Sequence, residues 1–183
     1  MAKKQFEPNW RETPPAPRSF RSIFKWGDPQ AYKHPNKKLF KEIKEQFHLT
    51  DEDFKEAKSY GDEIVSFKKS PKLSKKDIDF FTRLCGSENV SVDEYFRTKF
   101  SSGKTIEEAI SLRDSKVGPL CDLVVHPRNK DEIVNIVKYC NKNKIPIYVY
   151  GGGSSVNFGL RPSKGGISLV MSTHMNKILE VNP

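Results

Sequence analysis

Long apolar runs, cysteines and acidic residues to balance the basic ones are all scarce in this 183-residue sequence. The longest apolar runs, such as residues 145–150, are far too short to span a bilayer. Residues 1–5 lead into polar sequence without the apolar core of a signal peptide. The three cysteines, Cys85, Cys121 and Cys140, are odd in number and stand in no metal-ligand spacing. We therefore expect a cytoplasmic chain with no disulfide framework and no bound metal.

Basic residues outnumber acidic ones by 32 to 23, which gives a formal charge of +9. Such an excess suits anionic partners such as phosphates, nucleic acid or acidic lipid. Eight basic and four acidic residues leave +4 in residues 118–183, and hence +5 in residues 1–117. No segment is a basic arm, so the sequence favours a solvated, lysine-rich surface and predicts no nucleic-acid partner.

The first two thirds of the chain contain two regions that differ in composition. Residues 1–38 are rich in proline and aromatic residues. Proline at this density excludes regular helix, so we expect little regular structure there. Residues 39–116 instead predict short helices joined by loops. Two of these helices begin at capping signals, Ser74 and Thr105, and a third is expected over residues 50–58.

From residue 118 onwards the pattern changes to short apolar runs around one amphipathic segment. The predicted order is strand, helix, strand, strand and strand, over residues 121–125, 129–143, 145–150, 167–171 and 178–181. The crossover helix requires the first two strands to be parallel, and we expect them to be adjacent. The predicted fold class is α+β, with an irregular and helical region over residues 1–117 and a βαβ-plus-strand portion over residues 118–183.

The second predicted strand ends directly in a glycine-rich loop over residues 151–159. Three consecutive glycines offer no side chain to pack and let a ligand approach the main chain closely. Successive N–H groups can then converge on an anion, and Ser154 and Ser155 add hydroxyl donors. Open α/β sheets bind ligands beyond the carboxyl ends of their strands. The position of the loop therefore predicts a phosphate-binding site, rather than a glycine-rich surface turn.

Two other nucleotide-binding motifs fail on spacing. The glycines do not follow the G-x-G-x-x-G pattern that opens a helix, and Pro162 disfavours a long helix after the loop. Gly103-Lys104-Thr105 imitates the end of a P-loop. Thr98, however, stands where the first glycine of that motif is required, and no strand is predicted before it.

Six short motifs follow one another after residue 120. They are Asp122–Pro127 (Asp-x-Val-Val-x-Pro), the Val/Ile-rich helix 131–139, Pro146-Ile147, Gly151–Ser155, Gly165-Gly166 and Met175–Leu179. In this order they resemble the opening of the PCMH-type FAD-binding domain of the vanillyl-alcohol oxidase and p-cresol methylhydroxylase superfamily. No one of these motifs is specific, but together they are.

Features upstream resemble one branch of that superfamily. Residues 25–28 (Lys-Trp-Gly-Asp) resemble the Trp-Gly opening of the alkyldihydroxyacetonephosphate synthases, also called alkylglycerone-phosphate synthases. Residues 100–105 and Leu112-Arg113 resemble the segment that those proteins carry before the flavin domain. This resemblance explains Gly103-Lys104-Thr105 as part of that segment, so the sequence need not be interpreted as an ATP-binding site. Ser102 departs from the pattern, because the family has a histidine there.

The resemblance implies that the glycine loop holds the diphosphate of FAD through backbone amides. The implied cofactor-binding residues are Tyr150, Gly151, Gly152, Gly153, Ser154, Ser155, Val156, Asn157 and Gly159. Superfamily members that attach FAD covalently through this loop have a histidine at the position of Ser154, so non-covalent FAD is implied. Ser172 and Thr173 are weaker candidates, which strand-end capping explains equally well. His174 is expected to be a surface residue.

The resemblance also implies further strands of the flavin domain and a cap domain, which these 183 residues do not include. We therefore assign no catalytic residue and expect no turnover from these residues alone. The implied activity of a complete protein is exchange of the acyl group of acyl-dihydroxyacetone phosphate for a fatty alcohol in ether-lipid synthesis. A lipid-phosphate substrate is implied, while peripheral membrane contact and a homodimer stay open. The alternatives are an FAD-linked oxidase or dehydrogenase of 2-hydroxy acids, and a non-catalytic fragment.

Overall fold

The computed structural model describes residues 14–24, 37–55 and 61–182. The described helices are α1 (Phe20–Phe24), α2 (Lys37–Gln46), α3 (Asp51–Lys55), α4 (Lys75–Cys85), α5 (Glu94–Lys99), α6 (Ile106–Arg113) and α7 (Lys130–Asn143). The strands are β1 (Val90–Ser91), β2 (Leu123–Val125), β3 (Ile147–Tyr150) and β4 (Ile167–Val170). Residues 25–28, which carry the Trp-Gly resemblance, lie outside the described residues, as do most of residues 1–38. The expectation that this region excludes regular helix was wrong for α1, because residues 18–24 contain no proline and the helix buries Phe20 and Ile23.

Side-chain caps set the starts of the longer helices. Ser74 and Asp77 form a reciprocal capping box at the start of α4, and Thr105 and Glu108 form another at α6. Both predicted capping signals are therefore confirmed. The Asn129 side chain accepts a hydrogen bond from the Glu132 N–H at 3.0 Å, which opens α7 where a helix was predicted.

The four strands form one small sheet in the order β1-β2-β4-β3. β4 pairs in parallel with both β2 and β3, and β1 pairs with β2 in antiparallel fashion. The predicted strands at 121–125, 145–150 and 167–171 are present. Their predicted order was wrong, because β4 lies between β2 and β3. The strand predicted over residues 178–181 is also absent, since these residues are exposed and have no regular structure.

Burial explains the order of the strands. All four residues of β4 are buried, which suits a central strand covered on both faces. β3 is only partly buried, follows Pro146 directly and leaves Val149 65% exposed. Proline cannot donate to a ladder and is confined to edge strands or strand starts, so β3 suits the edge. The mixed α+β fold itself is as predicted.

Hydrophobic packing covers both faces of the sheet. On one face, Leu123 and Ile167 pack with residues of α4 and α7, including Phe81 and Ile136. On the other face, the members of the cluster are Phe100, Cys121, Val124, Tyr150, Leu160 and Val170. A third cluster joins α1, α5 and α6 through Phe20, Ile23, Val65, Tyr95 and Leu112. Because Phe81 of α4 lies in the first cluster and Phe100 in the second, the helical region before residue 121 packs directly against residues 121–183.

Asp122 fixes β2 to the start of β4. Its main-chain N–H donates to the Gly166 carbonyl at 2.7 Å, and its carboxylate accepts from the Gly166 N–H at 2.7 Å. The same carboxylate accepts from the Lys72 N–H at 2.9 Å. Since β2 and β4 are aligned in this way and β3 is parallel to β4, the carboxyl ends of all three strands meet at one edge. Among the described helices, none is long and apolar enough to cross a bilayer.

Candidate functional site at the carboxyl edge of the sheet

Three loops leave the carboxyl edge of the parallel strands. β3 continues into the glycine loop, residues 151–159. β2 continues into His126, and β4 continues into a turn over residues 171–174. Ligands of open α/β sheets bind at this kind of edge.

The glycine loop surrounds an open cleft of about 510 Å³. Its lining residues are Val149, Tyr150, Gly151, Gly152, Gly153, Ser154, Ser155, Val156, Asn157, Gly159 and Leu160. All nine residues that the sequence proposed for the cofactor therefore lie around one cleft. None of the lining residues is acidic, so no fixed negative charge in this lining opposes an anion.

The polar groups of the glycine loop include a run of backbone amides without internal partners among the described residues. None of the N–H groups of residues 151–158 donates a hydrogen bond to another part of the chain that the structure describes. The loop lies mostly at the surface, where these donors are accessible. A run of unused amides without neighbouring carboxylates is the donor set that a diphosphate requires.

The three glycines have different reasons to lack a side chain. A Cβ added at Gly151 or Gly152 would meet no atom within 4 Å. Gly153 has a φ of +68°, and the Tyr150 hydroxyl occupies the space that a side chain there would need. Gly153 is thus required by the fold of the loop, whereas Gly151 and Gly152 leave open space beside the main chain.

Tyr150 forms the floor of the loop. Its ring is buried and packs edge-on against Phe100, with ring centroids 4.9 Å apart. Burial raises the pKa of the Tyr150 hydroxyl, which keeps it protonated and able to donate. This hydroxyl has no hydrogen-bond partner among the described residues, although buried hydroxyls normally have one.

The two serines of the loop differ in their bonding. The Ser155 hydroxyl accepts from the Gly159 N–H at 3.1 Å and donates to the Asn157 side-chain oxygen at 3.3 Å. It therefore closes the loop on itself. Ser154 is exposed, and within the described part of the chain its hydroxyl makes no hydrogen bond. Ser154 is the serine whose hydroxyl is available to a ligand.

These features fit FAD. A diphosphate needs amide and hydroxyl donors and close access to the main chain, which the cleft offers at Gly151, Gly152 and Ser154. When bound, FAD supplies the electron-accepting and electrophilic chemistry of a flavin, which the side chains of this chain lack. The role of the loop would be to hold and orient the cofactor.

A second polar cluster lies at the same edge of the sheet. His126 Nδ1 and Thr173 Oγ1 are 2.7 Å apart, and His174 Nε2 lies 2.7 Å from Asn89 Oδ1. Burial, aided by the charges of His174 and Lys99, lowers the pKa of His126. The sequence interpretation gave Thr173 only a weak role and overlooked His126, although that residue directly follows a parallel strand. His174 is exposed, as expected.

The Phe100 ring connects the two parts of this edge. Its centroid lies 5.3 Å from that of the His126 ring and 4.9 Å from that of Tyr150, with both pairs edge-to-face. Phe100 lies at the end of α5, before residue 121, so the helical region supports the site directly. Among the described residues, no group of three or more His, Cys, Asp or Glu residues is arranged to hold a metal ion.

Comparison with known proteins identifies the segment that carries this cleft. Residues 121–183 match the sequence profile of the family described as "FAD binding domain". The chain is 41% identical over 61 residues to the glycolate oxidase subunit GlcD of Bacillus subtilis, a match that covers 33% of this chain and 13% of that protein. It is 24% identical over 132 residues to the alkyldihydroxyacetonephosphate synthase of Trypanosoma brucei brucei, a match that covers 70% of this chain and 22% of that protein.

A solved structure of an alkyldihydroxyacetonephosphate synthase has a similar fold. It aligns with a TM-score of 0.58 and 23% sequence identity, and the alignment covers 63% of this chain and 23% of that one. The chain thus spans less than a quarter of the length of each of these three proteins.

Proposed function

We propose, on the premise that residues 121–183 belong to an FAD-binding domain, that the glycine loop binds the diphosphate of FAD without a covalent bond. The observation that supports this most directly is the run of unused amides over residues 151–158 around a cleft without acids. Gly151 and Gly152 leave room for close approach, and Ser154 and Tyr150 add hydroxyl donors.

Non-covalent attachment follows from the chemistry of the loop. The resemblance to the vanillyl-alcohol oxidase superfamily places Ser154 where members with covalently attached FAD have a histidine. A serine hydroxyl is a weak nucleophile without an activating base, and no base bonds to Ser154 among the described residues. The loop can therefore hold the cofactor only by hydrogen bonds.

Acid denaturation tests this attachment. The natural polypeptide that carries this sequence should be purified in its yellow form, precipitated with acid and separated into pellet and supernatant. We expect the flavin colour in the supernatant. A yellow pellet that yields a flavin-labelled peptide from residues 151–159 would contradict the proposal, whereas a labelled peptide from outside these 183 residues would assign the attachment to another segment.

We propose further that the complete protein is a flavoenzyme of the alkylglycerone-phosphate synthase type. The match to the trypanosomal synthase extends over 132 residues, about twice the length of the FAD-binding segment. It therefore includes a long part of the helical region before residue 121. The proposed reaction exchanges the acyl group of acyl-dihydroxyacetone phosphate for a fatty alcohol, and the proposed location is the cytoplasm, where three buried free thiols would stay reduced.

Oxidation of a 2-hydroxy acid is the second candidate function. The identity to the glycolate oxidase subunit, 41%, is higher than the identity to the synthase, but it is confined to 61 residues. That length is no more than the FAD-binding segment itself. The similarity thus supports a shared cofactor more than a shared substrate.

The two candidate reactions differ in redox balance, which gives a direct test. The natural polypeptide should be assayed with acyl-dihydroxyacetone phosphate and a fatty alcohol, and separately with glycolate or D-lactate and an artificial electron acceptor. We expect release of the fatty acid with formation of an ether lipid, and no reduction of the acceptor. Acceptor reduction without ether formation would favour the oxidase function instead.

A further inference from the structure

The Gly103-Lys104-Thr105 segment does not have the spacing of a P-loop, but in the structure it contacts the glycine loop. The segment joins α5 to α6 and lies against the glycine loop. The Lys104 N–H donates a hydrogen bond to the Ser155 carbonyl at 2.6 Å. This bond links the helical region to the centre of the loop, where the amides of residues 151–158 have no partners in the described chain.

Close contact at this point depends on Gly103. A Cβ built on Gly103 would lie 2.6 Å from the Ser155 carbonyl oxygen and 2.9 Å from the Glu108 carboxylate. Real Cβ atoms essentially never come this close to backbone oxygen. Any side chain at residue 103 would therefore push the Ser155 carbonyl away and break the bond to Lys104.

The segment is itself held in place from α6. The Glu108 carboxylate accepts hydrogen bonds from the N–H groups of Gly103 and Thr105, at 2.9 Å and 3.1 Å, and from the Thr105 hydroxyl at 2.9 Å. Glu108 thus orders the two residues on either side of Lys104.

Further bonds join the same segment to the sheet and to α1. The Phe100 carbonyl accepts from the Ser168 hydroxyl of β4 at 2.8 Å, and the Ser101 hydroxyl accepts from the Cys121 N–H at 2.8 Å. The Lys104 ammonium group donates to the Ile23 carbonyl of α1. Burial there lowers the pKa of Lys104 to about 8, which agrees with a well-packed contact.

We propose that Gly103, Lys104 and Glu108 are positioning residues for FAD, because they fix the Ser155 carbonyl and with it the conformation of the glycine loop. The inference rests on the proposed function of that loop. A loop with few bonds of its own pays for ordering when the ligand binds, and a fixed contact from outside reduces that cost. Lys104 bonds the loop, Gly103 lies against it and Glu108 orders this segment, but none of the three lines the cleft, so their effect on FAD is indirect.

The first test compares Gly103→Ala with Gly118→Ala. Gly118 is an exposed glycine with no atom within 4 Å of an added Cβ, so it is the matched control. FAD affinity of the natural polypeptide is measured by quenching of flavin fluorescence, and hydrogen exchange of the Lys104 amide is measured without FAD. We expect Gly103→Ala to weaken FAD binding at least tenfold and to accelerate exchange at Lys104 at least tenfold, with no change in Gly118→Ala.

The second test uses Glu108, in case Gly103→Ala does not fold. Glu108→Gln keeps an acceptor for the same N–H groups, whereas Glu108→Ala removes it. We expect Glu108→Ala to weaken FAD binding and Glu108→Gln to restore most of the affinity. If Glu108 merely capped α6, Glu108→Ala would lower the melting temperature but leave FAD affinity of the folded protein unchanged.

The outcomes separate this inference from the proposed function. Folded Gly103→Ala protein with unchanged Lys104 exchange and unchanged FAD affinity would overturn the inference. Equal FAD affinities of Glu108→Ala and the unsubstituted protein would also overturn it. If the unsubstituted protein binds no FAD, the proposed function fails and the positioning of FAD fails with it, while the exchange comparison still decides whether Gly103 fixes the loop.

Discussion

Two glycine-rich turns lie in the same FAD-binding segment, and they lack side chains for opposite reasons. At residues 151–152 an added Cβ would meet nothing within 4 Å. At Gly165 and Gly166 both residues are buried with φ values of +73° and +84°. A Cβ at Gly165 would collide with the Asp122 carboxylate, and one at Gly166 with the Pro146 carbonyl. In the described chain, the space beside the Cα atoms of the first turn is empty, whereas beside those of the second turn it is filled by Asp122 and Pro146.

The difference shows what a glycine motif means in this fold. Gly165-Gly166 lets Asp122 bond the main chain and so brings β2 and β4 into register. Gly151-Gly152 contributes no such internal contact. The second turn therefore stabilises the sheet, while the first leaves its main chain accessible from outside. Substitutions that separate stability from FAD affinity test this distinction.

The largest effect is expected at the structural turn. Gly166→Ala places a Cβ against the backbone at Pro146 and forces alanine to a φ of +84°. Positive φ alone costs on the order of 1–3 kcal/mol for a residue with a side chain, and the collision adds to it. We expect the free energy of unfolding, measured by urea titration, to fall by about 3 kcal/mol or more. Gly118→Ala should change it by less than about 0.5 kcal/mol, and an equally small change in Gly166→Ala would remove the distinction.

Gly152→Val tests the other turn, where the effect should appear in binding. Valine there meets no protein atom near its Cβ, so the unfolding free energy should stay within about 0.5 kcal/mol. Its branched side chain would stand where the diphosphate should meet the main chain. We expect FAD affinity, measured by flavin fluorescence, to fall about 100-fold, or about 2.8 kcal/mol.

Gly118→Val provides the control for this substitution, because it places valine at an open glycine that does not line the cleft. It should leave both stability and FAD affinity unchanged. FAD affinity of Gly152→Val equal to that of the control would exclude the loop from the cofactor site. Stability lost to the same extent as in Gly166→Ala would instead show that both turns are structural.

The sequence predicted the helices and strands of this chain better than it predicted how they are arranged in space. Capping residues such as Ser74 and Thr105 act within one turn of a helix, so their patterns predicted the starts of α4 and α6. Strand order depends on contacts between distant residues, and it was wrong. Pro146 before β3 and the wholly apolar neighbours of Ser168 in β4 were the available signals for edge and centre.

The site shows the same limit. The strand-to-glycine transition at Tyr150 is local, and the nine residues that the resemblance implied around it all line one cleft. His126 and Asn89 are far apart in sequence from Thr173 and His174, their partners in the structure. No periodic pattern in the sequence indicates that such distant residues lie close together in the structure. β1, with only two residues, is also too short to produce a recognisable pattern.

The pH dependence of the free energy of unfolding tests whether Lys104 is buried where it contacts the glycine loop. Burial, together with the charge of Lys99 and against that of Glu108, lowers its pKa from 10.5 to about 8. Between pH 8 and 10.5 the unfolded chain therefore binds more protons than the folded one, and stability contributed by Lys104 rises with pH in this window. We expect a rise on the order of 1–3 kcal/mol in urea titrations, which Lys104→Met removes. Equal pH profiles for both proteins would exclude a buried Lys104.

The smallest effect is expected from the serines of the glycine loop, and it divides that loop into a part that meets the ligand and a part that closes the loop. Ser154 is exposed and makes no bond in the described chain, so Ser154→Ala should leave stability unchanged and weaken FAD binding about threefold to tenfold, the worth of one hydrogen bond. Ser155 already bonds the Gly159 N–H and Asn157, so Ser155→Ala should lower loop order first. Proteolysis of the FAD-free protein would then cut residues 151–159 faster in Ser155→Ala than in Ser154→Ala. Unchanged FAD affinity in Ser154→Ala would assign the contact with the diphosphate to the backbone amides alone.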